Sequence, residues 1–149
     1  IRRVMDKEYI ESIIEFHNRK VNKYDRWDGL SVTTNKRRIT LAISSVQSCC
    51  EHYGTILSED DKSLYIGTEL MSINFIDACS YDECEVLKKS RLESCDVDVL
   101  DCAFINLNTD KGKLQFAVYN NHNGYYGHDI KFIEEDISSI TTELAILEG

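Results

Sequence analysis

The feature that most constrains the fold of this chain is a recurring alternation of apolar and polar residues, interrupted by short turn signals. Two such runs, residues 30–34 and 39–45, follow Asp28-Gly29 and are separated by Asn35-Lys36. A period of two places successive side chains on opposite faces of an extended chain, so that one face is buried. The two runs therefore predict a β-hairpin.

Similar runs further along the chain predict more strands. They lie at residues 54–57, 70–76, 97–107, 114–119 and 129–133, with a helical turn at 60–66. The hairpin loop before residue 114 contains Gly112, which is expected at a left-handed backbone position. The segment 78–96 has weak periodicity and many charges, and it predicts an excursion from the sheet.

The two ends of the chain predict helices. In residues 6–24, Asp6 is a candidate N-cap and the apolar residues that follow have helical spacing. In residues 134–147, apolar residues again recur at helical spacing after Glu134-Glu135-Asp136, which suits a helix N-terminus. We therefore predict an α+β fold, a mostly antiparallel sheet of hairpins with an N-terminal helix and a C-terminal helix.

The length of the chain, 149 residues, predicts a single domain that buries its own core. The expected division places the first helix in residues 1–28, the sheet with its Cys-rich excursion (78–96) in residues 29–133, and the second helix in residues 134–149.

The charge balance favours a protein partner over nucleic acid. The chain has 17 basic and 26 acidic residues, a formal net charge of −9. Binding to nucleic acid rewards clustered Lys and Arg, whereas an acidic chain suits a basic surface, including the nucleic-acid channel of another protein. The alternative interpretation is that the negative charge only keeps the protein soluble. No apolar run has membrane-spanning length and the first residues lack an apolar signal core, which predicts a cytoplasmic protein.

The segment His122-Asn123-Gly124-Tyr125-Tyr126-Gly127-His128-Asp129 is the strongest candidate for a functional site. Asn-Gly favours a tight turn, so the side chains of His122 and His128 are expected to converge. Cys49 and Cys50 follow another predicted strand, and neighbouring strand ends share one edge of a sheet. Two thiolates and two imidazoles match the ligand number and chemistry of zinc. The sequence therefore predicts a zinc site formed by Cys49, Cys50, His122 and His128.

The cysteines also allow other interpretations. Cys79, Cys84, Cys95 and Cys102 bracket the excursion and form a rival all-thiolate site, although they lack paired Cys-x-x-Cys spacing. Six cysteines permit three disulfides in an exported protein, and Cys102 shares a strand face with Phe104, which indicates a core position. No nucleophile elbow, phosphate-binding loop or zinc-protease helix is present, so we expect no catalytic residues and no enzyme.

Two stretches of the chain carry a resemblance to known proteins. The first comprises Gln47-Ser48-Cys49-Cys50-Glu51, Gly54 and Ile66-Gly67-Thr68-Glu69-Leu70. The second comprises Thr109-Asp110-Lys111-Gly112-Lys113-Leu114-Gln115-Phe116 and Tyr119-Asn120-Asn121-His122-Asn123-Gly124-Tyr125-Tyr126-Gly127-His128. Over residues 38–133 the chain resembles a family of small uncharacterised proteins carried by phages and mobile elements of Gram-positive bacteria.

The chain is also similar in kind to zinc-containing anti-CRISPR proteins, which inhibit the RNA-guided nuclease of type II systems. This resemblance implies an inhibitor without catalytic turnover, which binds the nuclease in the cytoplasm of a bacterial host and blocks the loading of target DNA. The net charge of −9 suits that role, because such nucleases are strongly basic where they load nucleic acid. Direct contacts with nucleic acid or a membrane are not expected.

Two other function classes stay open. A sponge for an immune signalling nucleotide would hold its ligand with Tyr125, Tyr126 and the basic cluster Lys36-Arg37-Arg38. A metal-dependent hydrolase would need an open coordination position on the metal and a general base such as Glu51 or Asp129.

Overall fold

The computed structural model describes residues 7–20, 26–45, 52–79, 99–122 and 130–137, and this part of the chain is built almost entirely from β-strands. The strands are β1 (Ile10–Lys20), β2 (Arg26–Thr34), β3 (Arg37–Ser44), β4 (His52–Leu57), β5 (Leu70–Cys79), β6 (Val99–Thr109), β7 (Gly112–His122) and β8 (Ile130–Asp136), with a short 3-10 helix at Lys62–Tyr65. They form two antiparallel four-stranded sheets with the orders β1-β2-β3-β8 and β4-β7-β6-β5.

The two sheets pack face to face around one large apolar core. The first sheet contributes Leu30, Val32, Ile39, Leu41 and Ile43, and the second contributes Ile105, Leu107, Leu114, Phe116 and Val118, all completely buried. Every second residue of these strands enters the core, as expected for the inner faces of a β-sandwich. Phe75 of β5 and Phe132 of β8 stack with their ring centroids 4.4 Å apart, which joins the two edge strands across the sandwich.

The period-two pattern predicted the central hairpins correctly. In the β2–β3 hairpin, Leu30 lies opposite Leu41 and Val32 lies opposite Ile39, as their shared core face requires. The predicted strands at 54–57, 70–76, 97–107, 114–119 and 129–133 correspond to β4, β5, β6, β7 and β8. Gly112 has a φ of 129° at the turn between β6 and β7, as predicted, and the helical turn within 60–66 is the 3-10 helix.

The predicted N-terminal helix is wrong, because Ile10–Lys20 is the edge strand β1. The pairing of β1 with β2 shifts register between Ile10 and Ser12 and again between Phe16 and Arg19. Each β-bulge adds one residue to β1, which breaks the period of two. The first bulge leaves Ile10 and Ile13 buried on the core face three residues apart, and Phe16 is buried on the other face at the same interval. This spacing of three imitates one face of a helix.

The predicted C-terminal helix is also wrong where the structure describes it. The helix was expected to begin at residue 134, but Ile130–Asp136 is strand β8, paired with β3. The acidic run that suggested a helix N-terminus instead faces basic residues of the neighbouring strand, since Arg37 bonds Glu134 and Arg38 bonds Glu135. Residues 138–149 lie outside the described residues. The α+β class is thus replaced by a β-sandwich.

No helix in the described ranges is long and apolar enough to cross a membrane.

Candidate functional site

The predicted zinc ligands lie in or next to the sequence ends of strands β4 and β7 of the second sheet. His122 is the last residue of β7, and its backbone pairs with Val99 at the start of β6. Cys49, Cys50 and His128 lie outside the described residues, and the side chain of His122 is not described either. The structure therefore places one of the four predicted ligands, and only by its backbone.

The register shows that the relevant strand ends meet. His52, the first residue of β4, pairs with Asn121 of β7. Cys49 and Cys50 precede His52 by three and two positions in the sequence, and His128 follows His122 by six. We call the edge formed by the start of β4, the end of β7, the start of β6 and the end of β5 the cysteine end. The strand that Cys49 and Cys50 were expected to follow is β3, which belongs to the first sheet, whereas the start of β4 is the strand end beside His122. The convergence of the four proposed ligands stays a prediction.

The rival all-thiolate site begins at the same edge. Cys79, the last residue of β5, pairs with Cys102 of β6. The side chain of Cys102 is 1% exposed and packs with Phe104 and Ala117, which confirms its predicted core position. Cys84 and Cys95 lie outside the described residues. Among the side chains that the structure describes, no group of three or more His, Cys, Asp or Glu is arranged to hold a metal ion.

A buried amide near the cysteine end lacks hydrogen-bond partners. Asn120 is completely buried, and neither its Nδ2 nor its Oδ1 has a partner in the described part of the chain. A buried polar group left without a partner costs roughly 1–3 kcal/mol, so it needs a local reason such as a bound group or an ordered water. Asn120 stands two residues before His122 in the sequence, and the thiols and imidazoles of the proposed ligands are soft and borderline groups that suit zinc.

The basic cluster Lys36-Arg37-Arg38 does not form an open binding tip. Arg37 donates from Nε and Nη2 to both carboxylate oxygens of Glu8, at 2.9 and 3.1 Å, and from Nη1 to Glu134 at 3.0 Å. Burial raises the pKa of Glu8, but the hydrogen bonds from Arg37 and Thr34 and the nearby positive charge outweigh it and hold that pKa below its ordinary value. The same hydrogen bond to Glu8 raises the pKa of Arg37.

His17 falls within the segment predicted as the N-terminal helix, but the structure places it in strand β1. Its Nδ1 stands 3.5 Å from Asp28 Oδ2, and 64% of its side chain is exposed. Asp28 also accepts a hydrogen bond from the Ser45 hydroxyl, so His17 is paired with a carboxylate of the first sheet.

A second surface, which the sequence did not reveal, lies at the opposite end of the second sheet. Four large apolar side chains are exposed there: Tyr9 (42%), Leu64 (60%), Ile66 (42%) and Met71 (64%). Backbone contacts bring their segments together, since Gly67 N–H donates to Ile10 O and Tyr9 forms a β-bridge with Glu69. We call these four residues the apolar surface. None of the four stands out in the sequence, and it is the backbone contact between β1 and the segment after the 3-10 helix that brings their segments together.

Carboxylates outnumber cations in the segments that carry the apolar surface, and we call these carboxylates its rim. They are Glu59, Asp60, Asp61, Glu69 and Asp110, and the same segments also contain Lys62 and Lys111. Asp61 caps the 3-10 helix by accepting from the Ser63 N–H at 3.2 Å, and Asp110 Oδ1 accepts from the Glu69 N–H at 3.0 Å. An apolar centre with a charged rim is the usual composition of a protein-binding surface.

Comparison with known proteins identifies a family without a known activity. The model of a domain of unknown function, DUF7448, matches residues 7–132. This match spans every described strand up to the middle of β8. The comparisons with curated proteins and with solved structures return no match.

Proposed function

The chain belongs to the DUF7448 family, whose function is unknown, and on that premise we propose that it is a zinc-binding, non-catalytic inhibitor that binds a basic surface of another protein. The proposed partner is the RNA-guided nuclease of a type II CRISPR system in the cytoplasm of a bacterial host. Its nucleic-acid channel is the basic surface, and binding there blocks the loading of target DNA.

The apolar surface with its rim of carboxylates is the observation that carries this proposal. Leu64 and Met71 are the most exposed of the large apolar side chains that the structure describes, and a side chain of this kind gains by leaving water at an interface. The rim carboxylates favour a partner rich in Lys and Arg, and the net charge of −9 steers such a partner towards the chain. The resemblance to anti-CRISPR proteins supplies the identity of that partner.

The proposed zinc site and the apolar surface lie at opposite ends of the second sheet. Strand β6 runs from Val99 at the cysteine end to Thr109, which pairs with Leu70 beside Met71. Ten residue steps of extended chain span roughly 33 Å. We infer that zinc holds strand ends together and contributes nothing directly to the contact with the partner.

Elemental analysis of the purified chain tests the metal site. We expect about one zinc per chain, as a closed four-ligand site requires, and loss of that zinc in His122→Ala and His128→Ala. His17→Ala is the matched control, since it removes an exposed imidazole that is not among the proposed ligands, and it retains the metal. If zinc remains in both histidine variants but is lost in Cys79→Ser or Cys84→Ser, the metal site is the rival all-thiolate one. A wild-type chain without metal would overturn the proposed zinc site.

Binding to the purified type II nuclease, followed by size-exclusion chromatography and biolayer interferometry, tests the inhibitor. We expect a complex with the nuclease that weakens as salt rises, and about tenfold weaker binding for Leu64→Ser and for Met71→Ser, since each removes a buried apolar contact of an interface. Ile14→Ser is the control, because Ile14 is 46% exposed but lies outside the apolar surface. The absence of any complex at low salt contradicts the proposed partner.

A further inference from the structure

The outer face of the first sheet contains a groove that the proposed function does not use. Its volume is about 200 Å³, and its lining comes from all four strands of the sheet. The lining residues are Phe16, Arg19, Lys20, Ser31, Arg38, Thr40, Ile133 and Glu135. Three of these eight side chains are cationic and one is anionic, which reverses the charge balance of the whole chain.

A β-bulge places Arg19 in this groove. Gly29 pairs with Phe16 and Trp27 pairs with Arg19, so two residues of β1, His17 and Asn18, stand opposite Asp28 alone. A shift of one residue moves a side chain to the other face of a sheet. The bulge therefore puts Arg19 on the same outer face as Phe16, and its guanidinium carbon lies 5.4 Å from the centre of the Phe16 ring.

Asp28 holds the bulge in place. Its Oδ1 accepts from the Asn18 N–H at 2.7 Å and from the Ser45 hydroxyl at 2.6 Å. Asn18 has a φ of 50°, a left-handed conformation that costs free energy for a residue other than glycine. Arg26 supports the same loop by donating to Asn18 O at 2.8 Å. Bulges supported in this way re-aim side chains and are frequent beside binding sites.

The cations of the groove differ in their pairing. Arg38 donates to Glu135 Oε1 from Nε and Nη2, at 3.1 and 2.9 Å, and this pairing fixes its guanidinium at one side of the groove. Within the described residues, no carboxylate pairs with Arg19 or Lys20. The hydroxyls of Ser31 and Thr40, which also line the groove, lie 3.3 Å apart and supply further polar groups. Two cations without carboxylate partners beside two hydroxyls form a site that favours an anion.

We propose that this groove binds the phosphate group of a small organic phosphate. Guanidinium and ammonium groups are the side chains that hold phosphate oxygens most strongly, and hydroxyls complete the hydrogen bonds. The volume lies below the roughly 300–1,000 Å³ of pockets for drug-sized ligands, so we take a small phosphorylated molecule as the ligand. Phe16 and Ile133 provide an apolar wall for the uncharged part of that molecule.

Isothermal titration calorimetry with ribose 5-phosphate tests this site, with ribose as the uncharged comparison. We expect the wild-type chain to bind ribose 5-phosphate but not ribose. Arg19→Gln and Lys20→Gln each weaken binding about tenfold, as loss of one charge-assisted contact predicts. Lys111→Gln is the matched control, since it removes one positive charge from the exposed β6–β7 turn, and it binds as the wild type does.

The bulge provides an independent test of the geometry. Asp28 is outside the groove lining, so Asp28→Ala weakens binding only if the bulge positions Arg19. Thermal unfolding of each variant identifies those that remain folded at the temperature of the titration, and the comparison is made among these. No heat with ribose 5-phosphate for the wild type, or an equal loss in Lys111→Gln, overturns the proposal. Tighter binding of a single-stranded oligonucleotide than of ribose 5-phosphate would assign the groove to a polymer instead.

Discussion

Glu8 anchors the start of β1 through a pair of hydrogen bonds from Arg37. Only 12% of its side chain is exposed, and Thr34 Oγ1 donates a third hydrogen bond at 2.6 Å. Because the carboxylate is stabilised in the folded chain, its pKa is lower there than in the unfolded chain. Its contribution to stability is therefore fully present above the unfolded pKa and is lost as the pH falls through the folded pKa.

We expect Glu8→Gln to lower the free energy of unfolding by about 1–2 kcal/mol near neutral pH, the value of a charge-assisted contact. The difference from the wild type should shrink as the pH falls below the ordinary glutamate pKa, which urea unfolding at a series of pH values measures. Glu11→Gln, an exposed position on the same strand, serves as the control. A Glu8→Gln difference that stays constant down to acid pH would contradict the linkage.

Gly29 allows the first sheet to carry an aromatic ring directly on its outer face. A Cβ at this position would overlap the Leu41 carbonyl oxygen and lie 2.8 Å from Phe16 Cζ and 2.9 Å from Ala42 Cα. Two of these three atoms belong to the backbone and cannot move away easily. Glycine is therefore required at this position because there is no room for a side chain, and not because of the backbone conformation.

We expect Gly29→Ala to lower the free energy of unfolding by about 3 kcal/mol, because overpacking against backbone displaces a paired strand. Gly67→Ala is the comparison, since Gly67 has a φ of 85° but nothing within 4 Å of the added atom. That change should cost only about 1 kcal/mol, the strain of a left-handed alanine. Urea unfolding measures the free energy of unfolding of both variants. A larger decrease for Gly67→Ala than for Gly29→Ala would contradict the packing argument.

At the scale of elements, β1 shows how a bulged strand is mistaken for a helix. Its first bulge puts Ile10 and Ile13 on the same core-facing side, three residues apart. Phe16 follows at the same interval but lies in a separate cluster with Trp27 and Ala42. A strand buried on both faces, with an irregular register, loses the period of two that identified its neighbours.

The conformation of Asn18 gives a test of the second bulge. Asn18→Gly should leave the free energy of unfolding within about 0.5 kcal/mol of the wild type, since glycine adopts a positive φ without strain. Asn18→Ala should lower it by about 1 kcal/mol, because the same backbone angle is then strained. Chemical denaturation distinguishes the two, and equal stability of both variants would show that the bulge is not held in this conformation.

The hairpins were predictable because their pattern and turns agree. In β2 and β3, alternation and the Asn35-Lys36 turn together specify the register, and in β6 and β7 the glycine turn does the same. The end of the chain was less predictable, because Glu134 and Glu135 suit either a helix N-terminus or a strand opposite Arg37 and Arg38. Only the long-range pairing of β8 with β3 decides between these two possibilities.

At the scale of the whole molecule, the cysteine end and the apolar surface lie at opposite ends of the second sheet. The cysteine end and the apolar surface are far enough apart that substitutions at the two should act independently. The sequence alone suggested that the strand before Cys49 ends beside His122, but that strand is β3 of the first sheet, and it is the start of β4 that pairs with the end of β7. The sequence did not reveal the apolar surface or the groove, because their residues come from strands and turns far apart in the chain.

This separation predicts two distinct phenotypes. Chelation of zinc, or His122→Ala, should lower the melting temperature, since metal that binds only the folded chain stabilises it. The double variant of Leu64→Ser and Met71→Ser should keep the zinc and the melting temperature but lose the partner. Differential scanning calorimetry measures the melting temperature, metal analysis measures the zinc content, and interferometry measures binding to the partner. A double variant that loses zinc would contradict the independence of the two ends.

Trp27 is the one tryptophan of the chain, and its position makes it a spectroscopic reporter. It is 3% exposed, packs with Phe16 and Ala42 on the outer face of the first sheet, and has Lys131 Nζ 4.9 Å from its ring centre. Its fluorescence therefore reads the first sheet directly, whereas tyrosine emission averages over the whole chain. Comparing the two emissions during unfolding reveals whether the first sheet unfolds together with the rest of the chain. A ligand that touches Phe16 should change the tryptophan fluorescence without any added dye.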